Sequence, residues 1–324
     1  MRRNHIYRTS VKRGNYAFLY ITVAIISFAL CSCFTGIEST KKINLSREDR
    51  KLSHPSPEQR FMDQIQPFPL KEWDMGKQFV ASDNKALFVI VPQGGILPVA
   101  PDSIKGKELS FSGVESKINA AGDLTLSILF TDNIYIYAYD TGKEFDDAME
   151  NITSDRIPML IDLDMVENAR ALLLNQKFWT KSNLWYDNHD TRIDGKKYVE
   201  VEITNVEPGN MVFPLKVEFK DRNNRIAYMF MNLGNADNES RSFHNLFSMS
   251  DIKKNYPSID AQTWDLICQS QVKEGMTKEE CKLALGNPND INSGHDYSQT
   301  LDIWRYDNGK VLWFEDGRLV KIRQ

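Results

Sequence analysis

The chain has 324 residues, of which 41% are hydrophobic and 26% charged, and its formal net charge is -4. This composition is ordinary for a globular protein and the length suits two or three domains, so a disordered tail protein and a collagen-like fibre are excluded. The first 32 residues carry five basic side chains and no acidic one, which leaves the rest of the chain with a net charge of -9. That acidic balance argues against a nucleic-acid binder.

An uncharged, mostly apolar stretch follows the basic N-terminus. Residues 14–37 contain no charged side chain, which is the layout of a secretory signal. The apolar run ends in a Leu-Cys-Ser-Cys sequence that resembles the lipobox of bacterial lipoproteins, with a small residue before the acylated Cys33. We therefore predict a lipoprotein signal peptide at 1–32 and lipidation of Cys33. The alternative is an uncleaved anchor, because about 20 apolar residues are enough to cross a bilayer.

The next segment, 33–66, is predicted to be a flexible tether. It is rich in charged residues, it is interrupted by Pro55 and Pro57, and it has almost no aliphatic periodicity. Such a composition does not bury a core, and a flexible chain of about 30 residues spans roughly 30 Å. The alternative for part of it is a short helix over residues 46–51.

The middle of the chain contains an internal duplication, visible when the sequence is shifted against itself by 89 residues. In both copies apolar and polar residues alternate, which is typical of strands with one buried face. We predict two tandem small all-β units, each a barrel or a sandwich: β repeat 1 at 67–145 and β repeat 2 at 175–250. A helical connector, 146–174, joins them. The matching positions are Gly106, Leu126, Ile128, Phe130 and Asp132 in the first copy and Gly195, Leu215, Val217, Phe219 and Asp221 in the second.

Two local features of the repeats can be predicted further. Just before the matching strands, the alternating apolar residues of one copy align with the polar positions of the other. We expect a β-bulge near Gly113, which inserts one residue, to bring the two alternations back into the same phase. The connector should contain one helix, over residues 165–174, which begins after Asp162 or Asp164 as its cap.

Three tyrosines, Tyr135, Tyr137 and Tyr139, alternate along one predicted strand. Alternation places their rings on one face, which makes them a candidate aromatic binding face for a sugar or a peptide. The alternative is half-buried packing, because tyrosine is a favoured strand residue whose hydroxyl can reach solvent.

The polar residues of the repeats have the sequence context of turns more than that of a metal or acid-base site. Asp132 and Asp221 each follow a strand and precede polar residues, so they are predicted to be turn formers. Residues 187–190 group side chains that could bind a metal, but they lack the glycine and distal glutamate of a calcium loop. A solvated hairpin loop explains them equally well.

The C-terminal region has the clearest local signals. Thr277 and Glu280 have the spacing of a capping box, so a helix should follow Thr277 and end at Gly286, with Pro288 just beyond it. An earlier helix is predicted over residues 261–272. After a loop that follows Pro288 come three apolar strand-like runs, which are residues 301–306, 311–314 and 319–322. The predicted order is ααβββ.

Five short motifs accompany this order. They are Gly275-Met276-Thr277, Leu285-Gly286-Asn287-Pro288, Trp304-Arg305-Tyr306, Leu312-Trp313-Phe314 and Asp316-Gly317-Arg318-Leu319. Together they resemble the SmpA/OmlA (BamE-like) lipoprotein family over residues 258–324. The resemblance implies a lipid-anchored periplasmic module without catalytic residues, acting through surfaces that contact other envelope proteins or lipid. The chain departs from the family in carrying two β repeats ahead of the module.

Cys268 and Cys281 fall one on each predicted C-terminal helix, in a chain expected to enter an oxidising compartment. One interpretation is a disulfide, which for a loop of this size would contribute about 3 kcal/mol. The other is two small apolar side chains that face one core.

The sequence contains no Walker motif, H-E-x-x-H, G-x-S-x-G or paired C-x-x-C, so no enzyme activity, metal or cofactor is predicted. The overall prediction is an α+β lipoprotein of a bacterial envelope, on the periplasmic side of the outer membrane. It would be held to the membrane by its N-terminal lipid and act as a non-catalytic binding or scaffold protein for an envelope protein partner. The alternatives are a carbohydrate-binding or hydrolytic lipoprotein and an inhibitor of a secreted enzyme.

Overall fold

The computed structural model describes residues 56–93, 104–119, 122–233, 241–296 and 299–323. The signal peptide predicted at 1–32, the predicted lipidation site Cys33 and most of the predicted tether lie outside these ranges. Within them the chain combines a few short helices with three mostly antiparallel sheets. None of the helices placed there has both the length and the apolarity needed to cross a membrane.

The helices in the described ranges are short, and the first of them precedes all the strands whereas the others lie between strands. They are α1 (Pro57–Met62), α2 (Phe145–Asn151), α3 (Leu163–Leu173), α4 (Phe243–Leu246), α5 (Ala261–Cys268) and α6 (Lys278–Leu285).

The first sheet has six strands. They are β1 (Gln78–Ala81), β2 (Ile90–Pro92), β3 (Glu108–Ile118), β4 (Leu124–Thr131), β5 (Ile136–Asp140) and β6 (Leu160–Asp162). They lie side by side in the order β2-β5-β4-β3-β1-β6, and each neighbouring pair is antiparallel.

The second sheet has seven strands. They are β7 (Lys177–Thr180), β8 (Leu184–Tyr186), β9 (Arg192–Asp194), β10 (Glu200–Pro208), β11 (Leu215–Asp221), β12 (Ile226–Met231) and β13 (Phe247–Ser248). Their order is β13-β7-β10-β11-β12-β8-β9.

The first two sheets share a strand order. The neighbours β5, β4, β3 and β1 of the first correspond to β12, β11, β10 and β7 of the second. The bulge expected near Gly113 is present between Phe111 and Gly113, and β10 has a matching irregularity between Ile203 and Asn205. Aligning the two bulges brings the apolar residues of β3 and β10 into phase. Both sheets are open, so the barrel form predicted as one alternative is wrong: edge strands flank the central four instead of closing on each other.

Each of these sheets buries one face in its own hydrophobic core. The alternating residues of β4 and β11 that the duplication singled out are buried, and they are Leu126, Ile128, Phe130, Leu215, Val217 and Phe219. Helix α3 packs against β10 in the second core. Val80 and Ile161 belong to strands of the first sheet but contact this second core. Shared packing therefore joins the two sheets.

Helix α3 begins where the sequence predicts a cap. Asp162 precedes it, and its Oδ1 accepts a hydrogen bond from Asp164 N at 2.9 Å. The connector predicted at 146–174 is not purely helical, because it contains strand β6. It also holds most of α2 in addition to α3, so the expectation of one helix is wrong. Strand β6 is extended because it pairs with β1, with Asp162 opposite Phe79, and that partner is distant in sequence.

The flexible tether predicted over 33–66 does not extend to residue 66. Residues 57–62 form α1, and Met62 and Ile65 are buried in the second core. Glu58 Oε1 accepts a hydrogen bond from Met249 N at 3.3 Å. The sequence did not predict this packing, because the segment is rich in charged residues and contributes only isolated apolar side chains to the core. A periodic apolar stripe, which would have indicated a buried helix, is missing from its sequence.

The C-terminal unit has two helices as predicted, but α5 ends at Cys268 and not at residue 272, and there are four strands instead of three. The strands are β14 (Asp290–Asp296), β15 (Gln299–Arg305), β16 (Val311–Glu315) and β17 (Arg318–Arg323), paired in that order. The capping box of Thr277 and Glu280 is present, and Gly286 follows the helix with a φ of 86°. Strand β14 occupies the stretch expected to be a loop after Pro288. It lies at the sheet edge and pairs through backbone atoms, so its sequence needs no apolar alternation.

Cys268 and Cys281 are free thiols in the structure, in contrast to the disulfide interpretation. Both are buried in the hydrophobic cluster between the C-terminal helices and the third sheet. Burial raises the pKa of the Cys281 thiol to about 12 and also raises the pKa of Cys268. The two residues therefore occupy one core as small protonated side chains, which is the alternative interpretation.

The second sheet contacts the C-terminal unit through Lys197 and Tyr198. Lys197 N donates to Cys268 O at 2.8 Å, and Lys197 Nζ donates to Ala284 O at 2.7 Å. Tyr198 OH donates to Leu283 O at 3.0 Å. The accepting carbonyls of α6 lie in its last turn, where the helix dipole favours a cation. Tyr198 also has a φ of 55°, which is rare for a bulky residue.

The stability of this junction should depend on pH through Lys197. Burial lowers the pKa of Lys197 to about 8, whereas an unfolded lysine has a pKa of about 10.4. Between these values the unfolded chain binds more protons, so the contribution of Lys197 to stability increases as the pH rises from about 8 to about 10. Denaturant unfolding at about pH 7.5 and about pH 9.5 should show this gain in the wild type but not in Lys197→Met. Lys196→Met, at an exposed neighbour, should keep it, and an equal pH response in all three proteins would contradict the assignment.

Candidate functional site

The candidate tyrosines do not form an exposed aromatic face. Tyr137 is fully buried, and its hydroxyl donates to Asp132 Oδ2 at 3.1 Å. Tyr135 and Tyr139 are half-buried and pack against the first core. This is the packing alternative, because strand alternation directs all three rings to the core side of the sheet.

The acidic residues singled out by the sequence hold turns. The Oδ1 atoms of Asp132, Asp221 and Asp187 each accept hydrogen bonds from two backbone N–H groups of the turn that follows. Partial burial acts to raise the pKa of Asp132, but the backbone hydrogen bonds outweigh it and hold that pKa below its usual value. In the part of the chain that the structure describes, no group of three or more His, Cys, Asp or Glu side chains is placed to hold a metal.

A cavity of about 290 Å³ lies where the first sheet meets the second. We call it the inter-sheet cleft. It is lined by Ser82, residues 155–162, Met165, Asn210, Met211, Val212, Pro214, Asn232 and Leu233. One wall comes from the segment that enters β6 and the other from the hairpin end of the second sheet, so neither sheet forms the cleft alone. Junctions between units are common places for binding sites.

The first wall has a constrained backbone. Met159 has a φ of 63°, a conformation that costs about 1–3 kcal/mol in a residue other than glycine. Its carbonyl accepts hydrogen bonds from Ser82 N and Ser82 Oγ, both at 2.9 Å. Ile157 and Leu160 on either side are buried. These contacts hold the wall in a fixed shape.

The second wall is the turn between β10 and β11. Asn210 Oδ1 accepts hydrogen bonds from Val212 N and Phe213 N, each at 2.9 Å. Gly209 permits this turn, because a Cβ there would lie 2.1 Å from Phe213 O. Met211 and Val212 remain 44% and 63% exposed at the rim of the cleft. Apolar side chains presented on a fixed surface turn are suited to contact a partner.

A buried ion pair supports the cleft. Lys77 Nζ lies 2.9 Å from Asp162 Oδ1 and 2.5 Å from Asp164 Oδ2. The side chains of Lys77 and Asp162 are only 6% and 3% exposed. Because Asp162 also caps α3, the pair joins the start of β1 to the start of that helix. It therefore fixes the first wall relative to the second sheet.

The cleft combines adaptable apolar groups with a few polar ones. Met159, Met165 and Met211 line it, and methionine side chains are flexible and polarizable, so they adapt to apolar groups of different shapes. Asn210 and Asn232 add amide groups. The volume is at the lower limit of about 300–1,000 Å³ for ligand pockets. The cleft therefore suits one or two side chains of a partner better than a large ligand.

Sequence reasoning did not identify this cleft. Its residues come from four separate segments, near residues 82, 155–165, 210–214 and 232–233, that share no motif and meet only in the fold. One local signal was available: Met211 and Val212 are apolar residues in a turn that contains Gly209 and Asn210, where polar residues are usual.

Comparisons with protein-family models, with curated proteins and with solved structures found no match to this chain. The cleft is therefore interpreted from its own geometry and chemistry.

Proposed function

We propose that this chain is a lipid-anchored lipoprotein of the bacterial envelope that acts as a non-catalytic binding or scaffold protein. The observation that carries the proposal is the inter-sheet cleft, with a fixed backbone on both walls and the apolar side chains of Met211 and Val212 exposed at its rim. Such a cleft would receive apolar side chains of an envelope protein partner. The basic and apolar N-terminus that ends at Cys33 supports export and a lipid anchor, with the folded part on the periplasmic side of the outer membrane.

The proposed domain arrangement is two tandem β repeats followed by a BamE-like domain. The shared strand order and the matching bulges support an internal duplication over 67–145 and 175–250. For residues 258–324, the two helices, the capping box and the antiparallel sheet support the resemblance to the SmpA/OmlA family. Strand β14 departs from the ααβββ order expected for that domain.

Photo-crosslinking in cells tests the cleft. A photoreactive amino acid at Val212 should capture one envelope protein that mass spectrometry identifies, because this side chain lies at the rim of the proposed binding surface. The matched control is Val91 in β2, which is 56% exposed and does not line the cleft. Met211→Asp should reduce capture from position 212, because a charge at the apolar rim opposes docking. Equal capture from positions 212 and 91, or none from position 212, would contradict the proposal.

Palmitate labelling of the same cells checks the anchor independently of the cleft. The wild-type protein should carry the label and Cys33→Ala should lose it, because the acyl chains are attached to that sulfur. If Cys33→Ala carries as much label as the wild type, the lipoprotein assignment is wrong. The proposal for the cleft would then still be tested by the crosslinking result alone.

A further inference from the structure

The second sheet carries an ordered group of aromatic and basic side chains on the face opposite its core. Tyr186 stacks on Tyr228 with ring centroids 5.5 Å apart and planes inclined by 19°. Arg241 lies beside Tyr186 at one end of this pair. Lys216 lies over Tyr228 at the other end, with Nζ 4.3 Å from the ring centroid. Two cations therefore flank two stacked tyrosines.

The guanidinium of Arg241 is held between two aromatic rings. Its Cζ lies 4.7 Å from the Phe213 ring centroid and 5.7 Å from that of Tyr186, and its Nη2 donates to the Tyr186 hydroxyl at 3.1 Å. The backbone is constrained as well: Arg241 has a φ of 61°, and its carbonyl accepts a hydrogen bond from Asn232 N at 2.9 Å. A guanidinium supported in this way keeps a fixed orientation and presents its in-plane N–H groups.

Most of those N–H groups have no acceptor among the described residues. A guanidinium has five donors, and of the residues that the structure describes only the Tyr186 hydroxyl accepts from Arg241 and no carboxylate pairs with it. Arg222, in the turn that follows β11, differs because its Nε and Nη2 both donate to Glu200 Oε2. Arg241 is therefore ordered by its surroundings while most of its hydrogen-bonding capacity is unused within the described chain.

The carboxylates nearest to the tyrosine pair have partners of their own. Asp190 Oδ1 accepts from Tyr228 OH at 2.5 Å, and Glu218 Oε1 accepts from Thr204 Oγ1 at 2.8 Å. Glu207 lies 3.7 Å from Lys216 Nζ at the far end of the pair. At the end that holds Arg241, no described carboxylate forms an ion pair with its guanidinium.

We propose that Arg241, held by Phe213 and Tyr186, is a binding site for an oxyanion group, a phosphate or a carboxylate, next to the inter-sheet cleft but not part of its lining. The planar guanidinium offers two parallel N–H donors, the geometry that matches both groups. Beyond residue 32 the chain has a net charge of -9, and Arg241 is an ordered cation that has no carboxylate partner among the described residues.

Nuclear magnetic resonance of the detergent-solubilised full chain tests the site, with inorganic phosphate and acetate as the two probes. The Nε–H signal of Arg241, identified by its loss in Arg241→Gln, should shift and saturate in the millimolar range with at least one probe. Preference for phosphate or for acetate distinguishes the two ligand classes. Sodium chloride at equal ionic strength is the reference, and a shift of the same size with chloride would overturn the proposal, because it would reflect screening alone.

Two variants show whether anion binding depends on the rings that hold Arg241 or only on the presence of an exposed positive charge. Phe213→Leu retains Arg241 but removes one supporting ring, and it should weaken anion binding about two- to fivefold. Arg222→Gln, which removes a guanidinium already used by Glu200, should leave binding unchanged. Wild-type affinity in Phe213→Leu, or a loss in Arg222→Gln equal to that in Arg241→Gln, would overturn the proposal.

Discussion

Replacing Lys77 with methionine is expected to lower the free energy of unfolding by about 3–5 kcal/mol. Lys77 neutralises Asp162, and both side chains are almost completely buried. Removing only the cation leaves a buried carboxylate without a counter-charge, and that desolvation cost is larger than the value of an ordinary surface ion pair. Denaturant unfolding at neutral pH, followed by circular dichroism, measures the loss.

Two further variants show whether the charge is the cause. Lys143→Met breaks an exposed pair with Asp147 and should change stability by no more than about 1 kcal/mol. In the double variant with Asp162→Asn, the new side chain can still cap α3 but has no charge, so more than half of the loss caused by Lys77→Met should be recovered. If the double variant is no more stable than Lys77→Met, loss of packing by the lysine stem and not the unpaired carboxylate explains the effect.

Replacing Phe219 with alanine is expected to cost about 3–5 kcal/mol as well, for a different reason. The ring is fully buried and lies edge-on to Trp185, with centroids 4.9 Å apart. Deleting it leaves a cavity in the second core. Because Val80 and Ile161 of the first sheet contact that core, backbone hydrogen exchange should become faster in β1 and β6 as well as in the second sheet.

Phe68→Ala is the matched control for that variant. Its ring is 55% exposed, so the expected change in unfolding free energy is within about 0.5 kcal/mol. If the hydrogen-exchange rates of β1 and β6 are the same in Phe219→Ala as in the wild type, the two sheets unfold independently. That result would contradict the shared packing described for them.

The elements that the sequence predicted best are those whose signals lie within a few residues. Helix α6 has its capping box at Thr277 and its stop at Gly286, and the structure places it accordingly. Helix α3 begins after the Asp162 cap. The apolar alternation around Phe130 and Phe219 predicted the buried faces of β4 and β11. Capping and alternation depend on local backbone geometry, so one sequence is enough to recognise them.

Elements that depend on a distant partner were missed or misjudged. Strand β14 has a polar, glycine-containing sequence, but backbone pairing with β15 makes it a strand. Strand β6 was included in a helical connector because its pairing with β1 is not a local property. The tether prediction failed at Met62 and Ile65 because its composition is polar, whereas the second core accepts two isolated apolar side chains.

The proposed sites follow the same division. Composition and order along the chain determined the acidic balance, the duplicated alternation and the capped C-terminal helices, and they predict the export signal with Cys33, because each is carried by neighbouring residues. Only the tertiary structure brought Met159 beside Met211 across the inter-sheet cleft and placed Arg241 between Phe213 and Tyr186. Such sites depend on which strands become neighbours, and that choice is made by burial of the whole chain and not by any one segment.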